Sequence, residues 1–184
     1  MISFRSKAKY DLDAVLVFLT QSQSNSRLKK TLDKGEVFPV VDGKMLFLFV
    51  GLGKGDLSLT DLRIYVRKAF LSGYLKTVKS LELVPHSDKP EIIKALIEGV
   101  LIGTYAWEKY KTKSADDKSV KDKKIVIVAN DQTVYHQTIA ICEVVTLTRN
   151  LVNDNADTIT SSYLEGVVKG LIKGKSNVRL EVLN

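Results

Sequence analysis

Residues 37–54 read VFPVVDGKMLFLFVGLGK. Two apolar runs, 37–41 and 45–50, flank Asp42-Gly43, a dipeptide typical of the tight turn between two antiparallel strands. A capping-box pattern follows, in which the side chains of Ser58 and Asp61 can satisfy free amide groups at the start of a helix. This part of the sequence therefore predicts a β-hairpin that leads into a helix.

Further segments of strand and helix length lie on both sides of the hairpin. Strands are predicted over residues 2–7, 14–20, 79–84 and 124–129, and helices over a short segment through Leu28 and Leu32, from Ser58, from Asp88, and over 132–153. Strands that alternate with helices imply parallel strand pairs, whereas the hairpin adds an antiparallel one. We therefore expect an α/β fold, a three-layer sandwich in which a mixed sheet carries helices on both faces.

The character of the chain changes after residue 154. Residues 153–157 read NDNAD and contain no large apolar side chain. A short helix through Tyr163 and Leu171 is predicted next, and residues 178–183 alternate like a strand whose partner is missing. We expect an α/β domain over 1–154, followed over 155–184 by a linker and the opening fragment of a second domain.

Composition limits the class of protein. The 184 residues are 45% hydrophobic and 27% charged and include one cysteine. A single cysteine excludes a disulfide framework within the chain and is typical of a reducing cytoplasm. The first residues are too polar for a signal peptide, and no run approaches the ~20 apolar residues of a membrane-spanning helix. A cytoplasmic protein without a membrane partner is predicted.

Residues that could perform catalysis are scattered. Cys142 lies in an apolar stretch, which favours a buried structural thiol over a nucleophile. His86 and His136 have no metal-ligand neighbour three or four positions away. His86 is expected to be exposed in a turn, and His136 to be a structural histidine with satisfied hydrogen bonds. The sequence therefore predicts no catalytic residue, metal ligand or cofactor in this chain.

A glycine-rich turn ends the hairpin, with Gly51, Gly53, Lys54 and Gly55. Backbone amides in such a turn can bind phosphate, so one interpretation is an anion or nucleotide loop. The other is that the glycines allow a tight exit from the sheet. The negative charge of Asp56, together with the late start of the helix, favours the second interpretation.

Lysines give the chain a net charge of +7 and are densest between residues 109 and 124. A nucleic-acid-binding patch there would comprise Lys109, Lys111, Lys113, Lys121, Lys123 and Lys124. Three aspartates interrupt the cluster and only Tyr110 adds an aromatic ring, whereas proteins that bind single strands interleave rings with basic residues. A solvated loop is the alternative.

Three motifs occur in order along the chain: VGLGK at 50–54, Glu98-Gly99 followed by YKTK at 110–113, and RNLVND at 149–154. Together they resemble the N-terminal domain of the leucyl (cytosol) aminopeptidases, a family of two-metal exopeptidases. That family usually reads ARDLVNEPAN at the third motif. Asn150, Asn155 and Asp157 depart from it, as does Ser161 further on. These departures fall at the hinge that precedes the family's catalytic domain.

The resemblance implies a macro-domain-like fold and a parent enzyme that releases N-terminal residues, preferably leucine, from peptides. The family's two metal ions per subunit, zinc or manganese, are bound in a catalytic domain marked by NTDAEGRL, which nothing in this chain matches. The implied partners are the chain's own catalytic domain, the other subunits of a homo-hexamer, and peptide substrates of the parent.

This chain alone is therefore expected to be inactive. Two other functions stay open at this point. One is a regulatory module that binds duplex DNA through the lysine cluster. The other is a free-standing macro-like domain that binds a nucleotide such as ADP-ribose through residues 51–55.

Overall fold

The computed structural model of the protein describes residues 2–23, 25–54, 57–112, 122–130 and 135–183. Within these residues the strands are β1 (Ile2–Arg5), β2 (Ala14–Thr20), β3 (Val37–Asp42), β4 (Met45–Gly53), β5 (Ser80–Val84) and β6 (Lys124–Val128). The helices are α1 (Leu59–Leu71), α2 (Pro90–Leu101), α3 (His136–Asn153) and α4 (Ser161–Ile172).

The strands form one mixed sheet in the order β1-β6-β5-β2-β4-β3. β3 pairs antiparallel with β4 through the predicted hairpin, in which Asp42 lies opposite Met45 and Gly43 has a positive φ. The other neighbouring pairs are parallel. Because α1 connects β4 to β5 and α2 precedes β6, strands and helices alternate as expected, and the mixed α/β class is confirmed.

The main core lies on one face of the sheet. Ala14, Leu16 and Phe18 of β2 point toward this face and are at most 1% exposed. Buried side chains of α1, α2 and the start of α3 pack against them. α1 begins as predicted, because the Ser58 hydroxyl accepts a hydrogen bond from the amide of Asp61.

A smaller cluster covers the opposite face, where Phe47 and Phe49 of β4 pack with Leu32. The short helix predicted through Leu28 and Leu32 does not form, and both side chains reach the sheet from irregular turns. The Asn25 side chain accepts a hydrogen bond from the amide of Arg27, a local bond that competes with helix formation. Buried side chains of α1, α2 and the start of α3 all belong to the cluster on the first face, whereas the described part of the second cluster contains no helical residue.

Basic side chains lie over the aromatic rings of this second face. The guanidinium of Arg27 lies 4.4 Å from the centre of the Phe47 ring, and the Lys30 ammonium lies 4.6 Å from that of Phe38. Asp42 and Glu36 form ion pairs with these two cations. Long cationic side chains thus cover apolar surface with their alkyl stems, as a packed helix would.

The chain divides into two compact units, residues 1–145 and 146–184. This division falls inside α3, and the boundary predicted at residue 154 stays a prediction. In the second unit, Thr160 caps α4 by accepting a hydrogen bond from the amide of Tyr163, and no side chain of α4 is buried. Residues 178–183 do not form the predicted strand, and they pair with none of the strands in the described part of the chain.

Candidate functional site

Parallel strands end together at one side of the sheet, here called the carboxyl edge, where open α/β sheets usually bind ligands. The ends of β2, β4 and β5 bring Gln23, Gly53 and His86 to this edge. Gln23 connects two of these ends, since its side-chain oxygen accepts from the amide of Thr20 and its nitrogen donates to the carbonyl of His86. A cavity of about 470 Å³ adjoins the end of β2.

The backbone of Gly51, the first residue of the predicted anion loop, is already hydrogen-bonded. Its amide donates to the carbonyl of Glu36 at 2.9 Å, and its carbonyl accepts from the amide of Gly35 at 2.8 Å. The amide of Gly51 is therefore not available to a phosphate. Any anion role for Gly53 and Lys54 stays a prediction, and Gly55 lies outside the described residues.

Close packing explains the glycine at position 51. A Cβ atom there would lie 2.2 Å from the carbonyl oxygen of Asp33 and 2.7 Å from Cβ of Leu32, well inside contact distance. Gly53 has a φ of +76°, a conformation that side chains rarely adopt, and it lies against Lys34. The two glycines thus let residues 32–36 cross directly over the end of β4.

His86 is half-buried at the carboxyl edge, and not exposed as predicted. Its Nδ1 atom is buried without a hydrogen-bond partner, and burial lowers the pKa of the imidazole below 6.5. The neutral ring is therefore favoured. His136, predicted to be a satisfied structural histidine, is exposed on the first turn of α3. The two histidines lie on separate elements and form no common site with a third metal-ligating residue in the described part of the chain.

The predicted lysine patch is only partly a surface. Lys109, Lys111 and Lys124 are exposed, whereas Lys113 and Lys121 lie outside the described residues. Lys123 is buried at 4% exposure, so its assignment to the patch was wrong. No local pattern distinguishes it from Lys124, because burial of its side chain depends on a turn far away in the sequence.

The Lys123 ammonium satisfies the backbone of that turn. It donates hydrogen bonds to the carbonyls of Leu75 at 2.7 Å and Val78 at 2.5 Å, and lies 3.5 Å from that of Lys76. Backbone carbonyls thus replace the water that a buried ammonium would otherwise need. Lys123 connects the start of β6 to the turn before β5.

A second buried charge, Glu82 of β5, was not identified from the sequence. Its carboxylate is fully buried, accepts from the amides of Lys9 and Tyr10, and lies 3.2 Å from the guanidinium of Arg5. Tyr10, whose amide donates to this carboxylate, has a φ of +53° in the left-handed region. A carboxylate between Leu81 and Leu83 in an apolar strand was the available signal.

Cys142 is the single thiol of the chain, and it is buried in α3. Burial, with smaller contributions from Glu98 and Glu143, raises the pKa of Cys142 to about 11, so the thiol is a poor nucleophile. No group of three metal-ligating side chains occurs in the described part of the chain, so these residues do not fit a metal centre. Among them there is also no helix long and apolar enough to cross a bilayer.

Comparison with known proteins identifies relatives of this chain by sequence. No protein-family model matches the chain. A probable cytosol aminopeptidase of Protochlamydia amoebophila is 33% identical over 165 residues, which cover 78% of this chain and 33% of that protein. A probable cytosol aminopeptidase of Chlamydia abortus is also 33% identical, over 74% of this chain and 29% of that protein. The chain thus spans about a third of the length of these relatives.

A solved structure shows the same fold. A mutant tomato leucine aminopeptidase superposes with a TM-score of 0.70 over 96% of this chain and 43% of that one, at 17% sequence identity. The matching part is its N-terminal region. This chain is therefore homologous to the cytosol aminopeptidases, in the region that forms their N-terminal domain, and the family predicted from residues 50–54, 98–113 and 149–154 is confirmed.

Proposed function

We propose that this chain is a non-catalytic N-terminal domain of a cytoplasmic leucyl-type aminopeptidase. The observation that carries the proposal is the extent of the match: about three quarters of this chain aligns with about a third of each relative. The motif of the family's metal-binding domain does not occur in the sequence. Hydrolysis would then depend on a part of the parent that is not in this chain.

The parent would remove N-terminal residues, preferably leucine, from peptides. Two zinc or manganese ions per subunit would activate the attacking water and polarise the scissile carbonyl. No residue of this chain is assigned to that reaction. Its proposed contribution is to support assembly of a homo-hexamer and to shape the access of substrates to the active site.

The test compares the chain with its parent. The gene is read beyond Asn184, and both the 184-residue chain and the longest product are purified and assayed with leucine amide and added manganese. We expect metal-dependent release of leucine by the parent, abolished by a chelator, and none by the chain. Metal analysis and light scattering on the parent test the two ions and the hexamer. Metal-dependent hydrolysis by the chain alone would contradict the proposal.

A further inference from the structure

Helix α1 carries apolar side chains on the side that faces away from the core. Leu62, Val66 and Ala69 of this helix are fully buried in the main core. Ile64 and Leu71 are seven positions apart and therefore lie on one face, yet they are 54% and 65% exposed. An amphipathic helix normally has polar residues at such outward positions. Packing within the described residues thus does not explain the outward apolar face of α1.

This face of α1 forms part of a groove beside β3, the strand at one edge of the sheet. The groove has a volume of about 650 Å³, which is within the usual range of about 300–1,000 Å³ for binding pockets. Tyr74, in the segment that follows α1, adds a third partly exposed apolar surface at 46% exposure. We call this feature the α1–β3 groove, and define it by Val37, Ile64, Arg67, Lys68, Leu71 and Tyr74.

The charge of the groove is positive. Arg67 and Lys68 are exposed beside the apolar side chains, and neither forms a direct ion pair in the described part of the chain. Glu36 also lines the groove, but its carboxylate lies 2.5 Å from the Lys30 ammonium and accepts a hydrogen bond from the amide of Asp33. The one carboxylate of the lining is therefore already paired, and two cations stay available to an acidic partner.

The edge strand β3 offers little backbone to an added strand. The carbonyl of Glu36 accepts from the amide of Gly51, so the backbone of the next residue, Val37, points away from β4. Pro39 occupies the following outward position and has no amide to donate. An added strand would lose its hydrogen-bond ladder at Pro39. A helix satisfies its own backbone and needs only side-chain contacts, so the groove is better suited to a helix.

We propose that the α1–β3 groove binds an acidic amphipathic helix of a partner protein. The apolar residues of that helix pack on Ile64, Leu71 and Tyr74, and its flanking carboxylates pair with Arg67 and Lys68. A second copy of this chain would place two positively charged grooves face to face, which disfavours a symmetric dimer at this site. The inference goes beyond the proposed peptidase function and does not depend on it.

The test uses fluorescence anisotropy of the 184-residue chain with a fluorescein-labelled synthetic peptide of about 18 residues, in which leucines at helical spacing are flanked by glutamates. One control peptide has lysines in place of the glutamates, and another has the same residues in scrambled order. We expect saturable binding of the glutamate peptide, about 10-fold tighter than either control or more, and weaker as salt rises. Equal binding of the three peptides, or no binding at low salt, would overturn the proposal.

Substitutions locate the site. Leu71→Ser should weaken binding of the glutamate peptide about 10-fold, whereas Ile141→Ser, at a similarly exposed position on α3, should leave it unchanged. Lys68→Glu should weaken binding of the glutamate peptide and strengthen that of the lysine peptide, a reversal that lost packing cannot produce. Lys124→Glu, on β6 and four strands from β3, is the charge control. Equal losses in the two controls would reject this location.

The same variants distinguish the other occupants of the groove. All four positions are exposed, so the urea midpoint should stay close to that of the unsubstituted chain. If a second copy filled the groove, light scattering would show a dimer that Leu71→Ser converts to a monomer. If the parent's own catalytic domain filled it, the peptide would bind this chain but not the parent. Either result would overturn the assignment to a separate partner, and we expect binding by both proteins.

Discussion

Gly51→Ala separates the two interpretations of the glycine-rich turn. The added methyl group would lie 2.2 Å from the carbonyl oxygen of Asp33 and 2.7 Å from Cβ of Leu32. An ordinary contact between such atoms needs at least 3.4 Å, so residues 32–36 would have to move by about 1 Å. Because those residues exchange two backbone hydrogen bonds with Gly51, the movement would also weaken both bonds.

The loss in the free energy of unfolding can be worked out from these contacts. Overpacking of a well-packed site costs about 1–3 kcal/mol. Two backbone hydrogen bonds contribute about 0.5–1.5 kcal/mol each, and partial loss of both adds about 1 kcal/mol. The free energy of unfolding should therefore fall by about 2–4 kcal/mol, which lowers the urea midpoint by roughly 1–2 M.

Urea unfolding followed by tryptophan fluorescence measures this change, because Trp107 is the single tryptophan and reports on residues 1–145. Gly166→Ala is the control, since a methyl group at that position of α4 meets nothing within 4 Å and should leave the Trp107 transition unchanged. An unchanged midpoint for Gly51→Ala would refute the packing argument. If the unsubstituted chain bound phosphate or ADP-ribose and the stable Gly51→Ala variant did not, the anion-loop interpretation would be supported instead.

Three further predictions concern buried groups. Lys123→Met should lower the free energy of unfolding by about 1–3 kcal/mol, because the carbonyls of Leu75 and Val78 lose their donor, whereas Lys124→Met should change it little; equal urea midpoints would contradict this. Cys142 should resist iodoacetamide near pH 8 until urea unfolds the chain, because burial raises its pKa to about 11, and rapid alkylation of the folded chain would exclude that burial. The pKa of His86 is held below 6.5 by burial, so folding favours the neutral ring; stability should be highest above pH 6.5 and decrease as the pH falls below it. Urea titrations at several pH values should show this decrease, and His86→Asn should reduce it; an identical pH profile for the variant would argue against the assignment.

Several elements could be predicted because their signals are local. The Asp42-Gly43 turn, the Ser58 cap and the proline at the start of α2 act through neighbouring backbone groups, and each is present in the structure. The short helix through Leu28 was predicted wrongly from apolar spacing, because a side-chain bond from Asn25 stabilises a turn at the same place.

The candidate sites were less predictable because their residues meet across long stretches of chain. Lysines 123 and 124 are neighbours in the sequence, yet one is buried against a turn and the other is exposed.

The amino-acid sequence by itself determined the alternation of strands and helices, the hairpin and the family, since these follow from local spacing and from motifs in order along the chain. Only the tertiary structure decided what the unusual residues do. Glu82 reaches the amide of Tyr10 across 72 positions of sequence, and Lys123 reaches Leu75 across 48. Burial of a charge is stable only when distant partners satisfy it, so its role depends on how the whole sheet packs.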